Sequence, residues 1–305
     1  MKKTTTKPIS KSIEKSQARW GYFFIMPGII GFLLFNLIPM IFSLFVSMTD
    51  WNIITPMKFV GFVNYKTAFS DPLTGKSLFV TAYYTLLTVP LITIISLLVA
   101  MLLNTKVKGI SIFRTIFYIP SIVPAVASAA MWMFIYNPTY GLLNGVLRNL
   151  NLPTSNFIYS IKGVIPCLAI MAVWAAGNTV IVYLAGLQGI SNELYEAAKI
   201  DGAKGRQIFK SITVPLITPI IFFNIITTTI GCLQTFTQSY IMTDGGPANS
   251  SLFFSLLIYR NAFKYGKMGY AAALSWILFV LVGILTLLIF SSSKKWVYYE
   301  SGGDK

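Results

Sequence analysis

The chain contains no histidine, and its two cysteines, Cys167 and Cys232, both lie inside apolar stretches. A Cys/His zinc site, a histidine general base and a disulfide framework are thereby excluded, and most familiar enzyme chemistries go with them. Acidic residues are also scarce: 9 Asp and Glu stand against 24 Lys and Arg, and charged residues make up only 11% of the 305. Hydrophobic residues fill 55% of the chain, with a mean hydropathy of +0.69. That composition describes a membrane protein, not a soluble domain. A net charge of +15 would in a soluble chain point to nucleic acid, but here the cations sit between the apolar runs, so the expected contact is membrane lipid and not nucleic acid.

Crossing a hydrocarbon layer of about 30 Å takes about 20 apolar residues. Six stretches qualify, near 20–49, 79–104, 115–136, 163–190, 214–240 and 270–292, and every charged residue falls outside them. Segments such as Leu86–Leu103 and Leu274–Phe290 are apolar all round, whereas buried helices of a soluble core would keep a polar face. The first run follows a basic start, yet it is too long for the roughly 7–15-residue core of a signal peptide and is expected to remain as an anchor. With the N-terminus inside, the cytoplasmic segments hold twice as many Lys and Arg as the external ones. The positive-inside rule therefore predicts a multi-pass chain with both termini in the cytoplasm.

The expected organisation is a basic cytoplasmic N-terminus over 1–19, a first span with its external loop over 20–78, a five-span core over 79–292 and a cytoplasmic tail over 293–305. No fixed-period repeat is visible, which gives no support to an inverted-repeat transporter. Prolines within the spans, densest at Pro120 and Pro124, predict kinks, either for packing or where a span breaks to line a pathway. Asp71-Pro72-Leu73-Thr74-Gly75-Lys76-Ser77 ends like a phosphate-binding loop, but Ser70 stands where that pattern needs glycine and no strand precedes it. It reads as an ordinary external turn, and the chain is expected to have no ATP site.

The most informative segment, 191–215, is the longest polar stretch on the cytoplasmic side. Ser191 is a candidate N-cap with Glu193 in the first turn, and Leu194, Ala197 and Ala198 recur at i, i+3 and i+4, which predicts a short amphipathic helix. Gly202 is expected to end or bend it, Gly205 to keep the next turn open and Pro215 to mark the approach to the fifth span. Paired alanines allow a partner's backbone to come close, while Glu196 is free to meet a basic group.

The run Glu196-Ala197-Ala198, then Gly202, then Val214-Pro215, resembles the coupling loop of the inner-membrane permease subunits of binding-protein-dependent ABC importers. Thr243-Asp244-Gly245-Gly246-Pro247 and the Pro120/Pro124 pair resemble the carbohydrate branch of that family. Val214 departs conservatively from a more usual leucine. The resemblance implies an all-α membrane protein with the six transmembrane helices of the type I permease fold and a cytoplasmic coupling helix. It implies one half of the pathway of an ATP-driven sugar importer, with a second homologous permease as heterodimer partner, two copies of an ATP-binding subunit that holds the ATP and Mg, and an extracellular or periplasmic solute-binding protein. Glu196, Ala197, Ala198, Gly202 and Pro215 become the coupling residues, with a mechanical role.

For the substrate pathway, the resemblance to the maltose-type permease places sugar contacts at Ser121 and Ala125, at Trp174, Ala175 and Asn178, and at Thr228, Gly231, Cys232 and Thr235. Independently, Thr227 to Thr229 with Gln234, Thr235, Thr237 and Gln238 form the densest polar group in any span, which suits a neutral polyol. With no ionisable side chain in any span, a neutral saccharide is favoured over a glycerol phosphate or an acidic saccharide, which remain the alternative substrates. An ion-coupled secondary transporter, the alternative class, would usually carry such a group.

Overall fold

Backbone N–H and C=O groups cannot stay unpaired in hydrocarbon, and a helix satisfies them locally. The computed structural model describes residues 11–105 and 107–298; among these the one sheet is a two-residue pair, Thr49–Asp50 against Lys58–Phe59, and most of the rest is helical. The expectations for residues 1–10 of the basic N-terminus and 299–305 of the tail lie outside the described residues. Four helical stretches are long and apolar enough to cross a bilayer: Arg19–Ser47, Pro72–Leu103, Gly205–Met242 and Met268–Ser293. Between the second and third of these lie two bent pairs, Ile110–Ile122 with Ala125–Ile135 at 100° and Val164–Trp174 with Gly177–Gly189 at 48°. With each bent pair counted as one span, these give six candidate crossings in chain order, the bent pairs being the third and fourth.

The second span begins at Pro72, earlier than its hydropathy window, because Asp71 caps it. The Asp71 Oδ1 accepts from Leu73 N at 2.9 Å, and Pro72 occupies a first-turn position where its missing N–H costs nothing. The segment that looks like a phosphate loop is therefore the first turn of this helix. At the other end, Arg114 of the third span donates from Nη2 to Leu103 O at 2.9 Å and supplies a partner to a helix-end carbonyl.

Proline alone does not decide where the spans bend. Pro90, Pro120, Pro166 and Pro219 lie inside continuous helices. The sharp turn falls at Val123-Pro124, where Val123 takes an extended conformation (ψ 129°), the geometry that a following proline imposes. The fourth span, expected near 163–190, bends at Ala175-Ala176 without a proline there. The fifth is also interrupted, at Gln234–Phe236, before a last short helix, Thr237–Met242.

The second span is the hub. Its buried Thr74, Ser77, Thr81, Thr85 and Thr88 recur every three or four residues and so share one face, with Ser96 about two turns further on. Thr81 and Thr85 return their hydroxyls to carbonyls four residues back at 2.8 Å, which lets neighbouring helices approach closely. That span packs on the fourth and fifth. Around it Tyr84, Tyr136, Leu168 and Phe253 form the core, with Tyr84 edge-on to Phe253 at 5.0 Å and the Tyr136 hydroxyl donating to Cys167 O at 3.0 Å. The first span touches the bundle through its C-terminal half, where Ser43 Oγ accepts from Trp276 Nε1 of the sixth span at 3.1 Å.

Candidate functional site

Three broken spans meet. The Gly177 backbone lies against the third span so closely that a Cβ there would come 2.6 Å from Phe117 O and 3.1 Å from Ser121 Oγ. Just past the third-span break, Trp132 packs edge-on to Trp174 at 5.8 Å, and Thr237–Met242 of the fifth span packs on Ala125–Ile135. The breaks at Val123-Pro124, Ala175-Ala176 and Gln234–Phe236 are therefore linked through one shared neighbourhood. Backbone that leaves the helix at such a point exposes carbonyls and N–H groups, which membrane proteins tolerate where the chain is buried or lines a cavity.

Ser121, Trp174 and Ala175 are half-buried beside these breaks, and Ala125 and Asn178 are exposed immediately after them. In the fifth span Thr228 is half-buried and its hydroxyl bonds no described group, while Thr235 returns its hydroxyl to Gly231 O at 3.2 Å. Gly231 and Gln234 are exposed, and Gln234 closes the helix Val214–Leu233. Cys232 is placed elsewhere: it is 6% exposed and belongs to the core cluster with Tyr84 and Met242, so its thiol does not share the open face. Its neighbours Gly231 and Gln234 point out because consecutive helical positions diverge by about 100°. Of the polar group around it, Thr227 bonds Phe223 O at 3.0 Å and Thr229 is buried.

Trp132 is a functional candidate that the sequence did not single out. Its indole nitrogen is buried with no acceptor among the described residues, against the ring of Trp174. The only sequence signal was one tryptophan within an aromatic run before Asn137-Pro138. The Gly-Gly-Pro turn has similarly hidden supports. Ser239 donates to Ser251 O, Thr243 and Ser251 share a 2.7 Å hydroxyl contact, and Arg260 pairs with Asp244 at 2.9 Å.

A second site stands on the loop between the fourth and fifth spans. The helix Asn192–Ile200 starts on Ser191, whose Oγ accepts from Glu193 N at 3.2 Å. It ends in a Schellman motif: Ala203 N donates to Ala198 O at 2.9 Å and Gly202 N to Lys199 O at 3.0 Å, with Gly202 at φ +77°. Space around the Gly202 Cβ position is open, so glycine is required by the left-handed backbone and not by a neighbour. The face expected from Leu194, Ala197 and Ala198 is divided. Ala198 is half-buried together with Tyr195, whose hydroxyl contacts Thr213 Oγ1 at 3.2 Å, whereas Leu194 and Ala197 are exposed. Tyr195 is thus the anchor, a role that apolar spacing alone did not assign. Glu193, Glu196, Ala197 and the 87%-exposed Ile200 form the outward face at i, i+3, i+4 and i+7.

Gly205 opens the next helix, contrary to the expected open turn, because Lys204 N donates to Gln207 Oε1 at 2.7 Å and caps it. From there a π turn, Phe209–Thr213, leads directly into the fifth span, with Pro215 in the first turn of Val214–Leu233. The loop helix is consequently joined to the fifth span by the short link 201–204, by the helix that starts at Gly205 and by the Tyr195–Thr213 contact.

The family model for the binding-protein-dependent transport system inner membrane component matches residues 67–297. The chain is 42% identical over 297 residues to the probable ABC transporter permease protein YesP of Bacillus subtilis, covering 96% of each. It is 35% identical over 282 residues to the trehalose/maltose transport system permease protein MalF of Thermococcus litoralis, covering 92% of this chain and 95% of that one. In fold it superposes on the crystal structure of a bacterial ABC transporter involved in the import of the acidic polysaccharide alginate, with a TM-score of 0.81 at 24% identity over 93% of this chain and 99% of the other. The chain belongs to the binding-protein-dependent transport system inner membrane component family and has the all-α fold of a type I ABC importer permease.

Proposed function

We propose that this chain is one of two permease subunits of an ATP-driven importer for a neutral sugar or oligosaccharide. The observation that carries the reading is the loop helix Asn192–Ile200: no residue of it is fully buried, it is capped at both ends, and its Tyr195 contacts Thr213 in the segment that leads into the fifth span. An exposed face of Glu193, Glu196, Ala197 and Ile200 offers charge at its edge and an apolar centre, which suits a groove on a separate ATP-binding subunit. Glu196, Ala197, Ala198, Gly202 and Pro215 transmit that subunit's movement; ATP and Mg belong to it, present in two copies, and this chain contributes no ATP site. Both termini face the cytoplasm, the loop helix lies on that side, and a solute-binding protein delivers the sugar to the opposite face.

The partner permease is a different chain. Sugar contacts come from Ser121, Trp174, Asn178, Thr228, Gly231, Gln234 and Thr235 near the three breaks, with Trp132 added to them and Cys232 acting through packing. Hydroxyls, amides and indoles around freed backbone groups match a polyol's donors, acceptors and apolar ring faces. The sugar transported by a relative at 35% identity supports a saccharide without fixing which one. The test is uptake into proteoliposomes holding this chain, its partner permease and the ATPase, with the binding protein inside the assay. ATP-dependent uptake of a neutral oligosaccharide that outcompetes its uronic-acid analogue is expected at both low and moderate salt. Preference for the anion at both would contradict the neutral-sugar reading.

A further inference from the structure

The segments assigned to the external face carry eight Lys and Arg but only three acids, Asp50, Asp71 and Asp244. Asp244 is paired with Arg260. The other two acids meet in one cavity of about 390 Å³, walled by the Thr49–Asp50 strand, the helix Val63–Ser70 and the N-terminal ends of the second and sixth spans. Asp50, Trp51, Asp71, Asn261, Lys267 and Tyr270 line it. It lies apart from the three breaks and from the loop helix, and neither site described above uses it.

Its two carboxylates keep acceptor sites open. Asp71 receives Leu73 N at 2.9 Å and the Tyr270 hydroxyl at 3.0 Å, which leaves lone pairs on both oxygens. Asp50 accepts no hydrogen bond at its carboxylate from any described residue. Asn261 is only 6% exposed; its Nδ2 is used on Leu257 O at 2.9 Å, and its Oδ1 accepts nothing although the residue lines the cavity. Lys267 is in the wall, yet among the described residues the one ion pair is Arg260–Asp244, so its ammonium is out of ion-pair reach of both carboxylates.

We propose that this cavity receives a lysine or arginine side chain presented by the solute-binding protein when it docks on the external face; the proposal rests on the importer reading and orientation given above. An ammonium brings three donors and a guanidinium five, with no acceptor, and so meets those open sites. The Trp51 indole supplies an aromatic wall for a cation. A neutral sugar ring brings acceptors as well as donors and leaves part of those sites unmet. On a face that otherwise repels cations, one acidic cavity also fixes how a partner sits, since complementary charge sets register and on-rate.

The experiment uses the complete importer in lipid nanodiscs and reads ATPase stimulation against the concentration of binding protein. Asp50→Asn removes charge without removing any hydrogen bond seen in the chain. It is expected to raise the half-saturating concentration roughly three- to tenfold while leaving the basal and maximal rates unchanged. Lys267→Met removes a competing cation and is expected to lower it. Asp50→Lys combined with a Lys→Asp or Arg→Asp exchange on the docking face of the binding protein should restore the original value. Normal stimulation with an unshifted half-saturation in both single variants overturns the proposal and leaves the importer reading standing. No stimulation of the unmodified complex overturns the importer reading and the cavity proposal together. A change in basal ATPase that follows the phosphatidylethanolamine content of the nanodisc assigns the cavity to a lipid amine and overturns docking.

Discussion

The first and second spans are near equals in length and apolarity, at 29 and 32 residues with hydropathy 2.5 and 2.7, yet 6% of the first is buried within the chain against 33% of the second. Hydropathy records only that both belong in lipid. What separates them is where hydroxyl side chains fall. The second carries Thr and Ser at a helical repeat, and each can satisfy itself on a carbonyl one turn back while letting a neighbour approach. The first presents large apolar residues such as Phe24 and Phe35 outward and meets the bundle only through its C-terminal half. A span's role, lipid-facing or hub, is thus written in its small polar residues and not in its apolar ones.

The contrast is most severely tested where the first span's end crosses the start of the sixth. Gly269 lies directly against the Thr49 carbonyl, with no room for a Cβ. Gly269→Val should cost about 3 kcal/mol, the upper end of overpacking, read as a lowered midpoint in a denaturing-detergent titration. In the hub, Thr81 Oγ1 accepts from Phe254 N at 2.9 Å with both groups buried. Thr81→Val keeps shape and strands that N–H, and the same titration should show a loss of about 1–2 kcal/mol. On the first span, Phe35→Ala removes a side chain 79% exposed and should change the stability of the chain by less than about 0.5 kcal/mol. Equal costs for Thr81→Val and Phe35→Ala would dissolve the distinction between the two spans.

The positions of the long apolar stretches were legible in the sequence because charge and apolar length are one-dimensional quantities. So were the capped helix after Ser191 and its end at Gly202, since caps depend on near neighbours. The breaks were legible only where chemistry is local. Pro124 forces Val123 to extend, but the bend at Ala175-Ala176 accompanies a tertiary contact, Gly177 on the third span, that no local signal carries. The same limit explains Cys232, which shares the fifth span with exposed positions yet faces Tyr84, and Trp132, whose importance comes from Trp174 forty-two positions away in sequence. Tyr195 was overlooked because its anchor, Thr213, lies across a loop.

The central claim is that the exposed face of Asn192–Ile200 takes the ATPase subunit's movement into the fifth span, and Glu196→Lys tests it most directly. Reversing a charge at a docked face should cost several kcal/mol of assembly or coupling, with the chain's own fold intact because Glu196 is exposed and makes no hydrogen bond within it. Measured in one reconstituted preparation, sugar uptake per ATP hydrolysed should fall at least tenfold, either because the ATPase no longer co-purifies or because it hydrolyses without transport. Normal co-purification together with unchanged uptake per ATP would contradict the account.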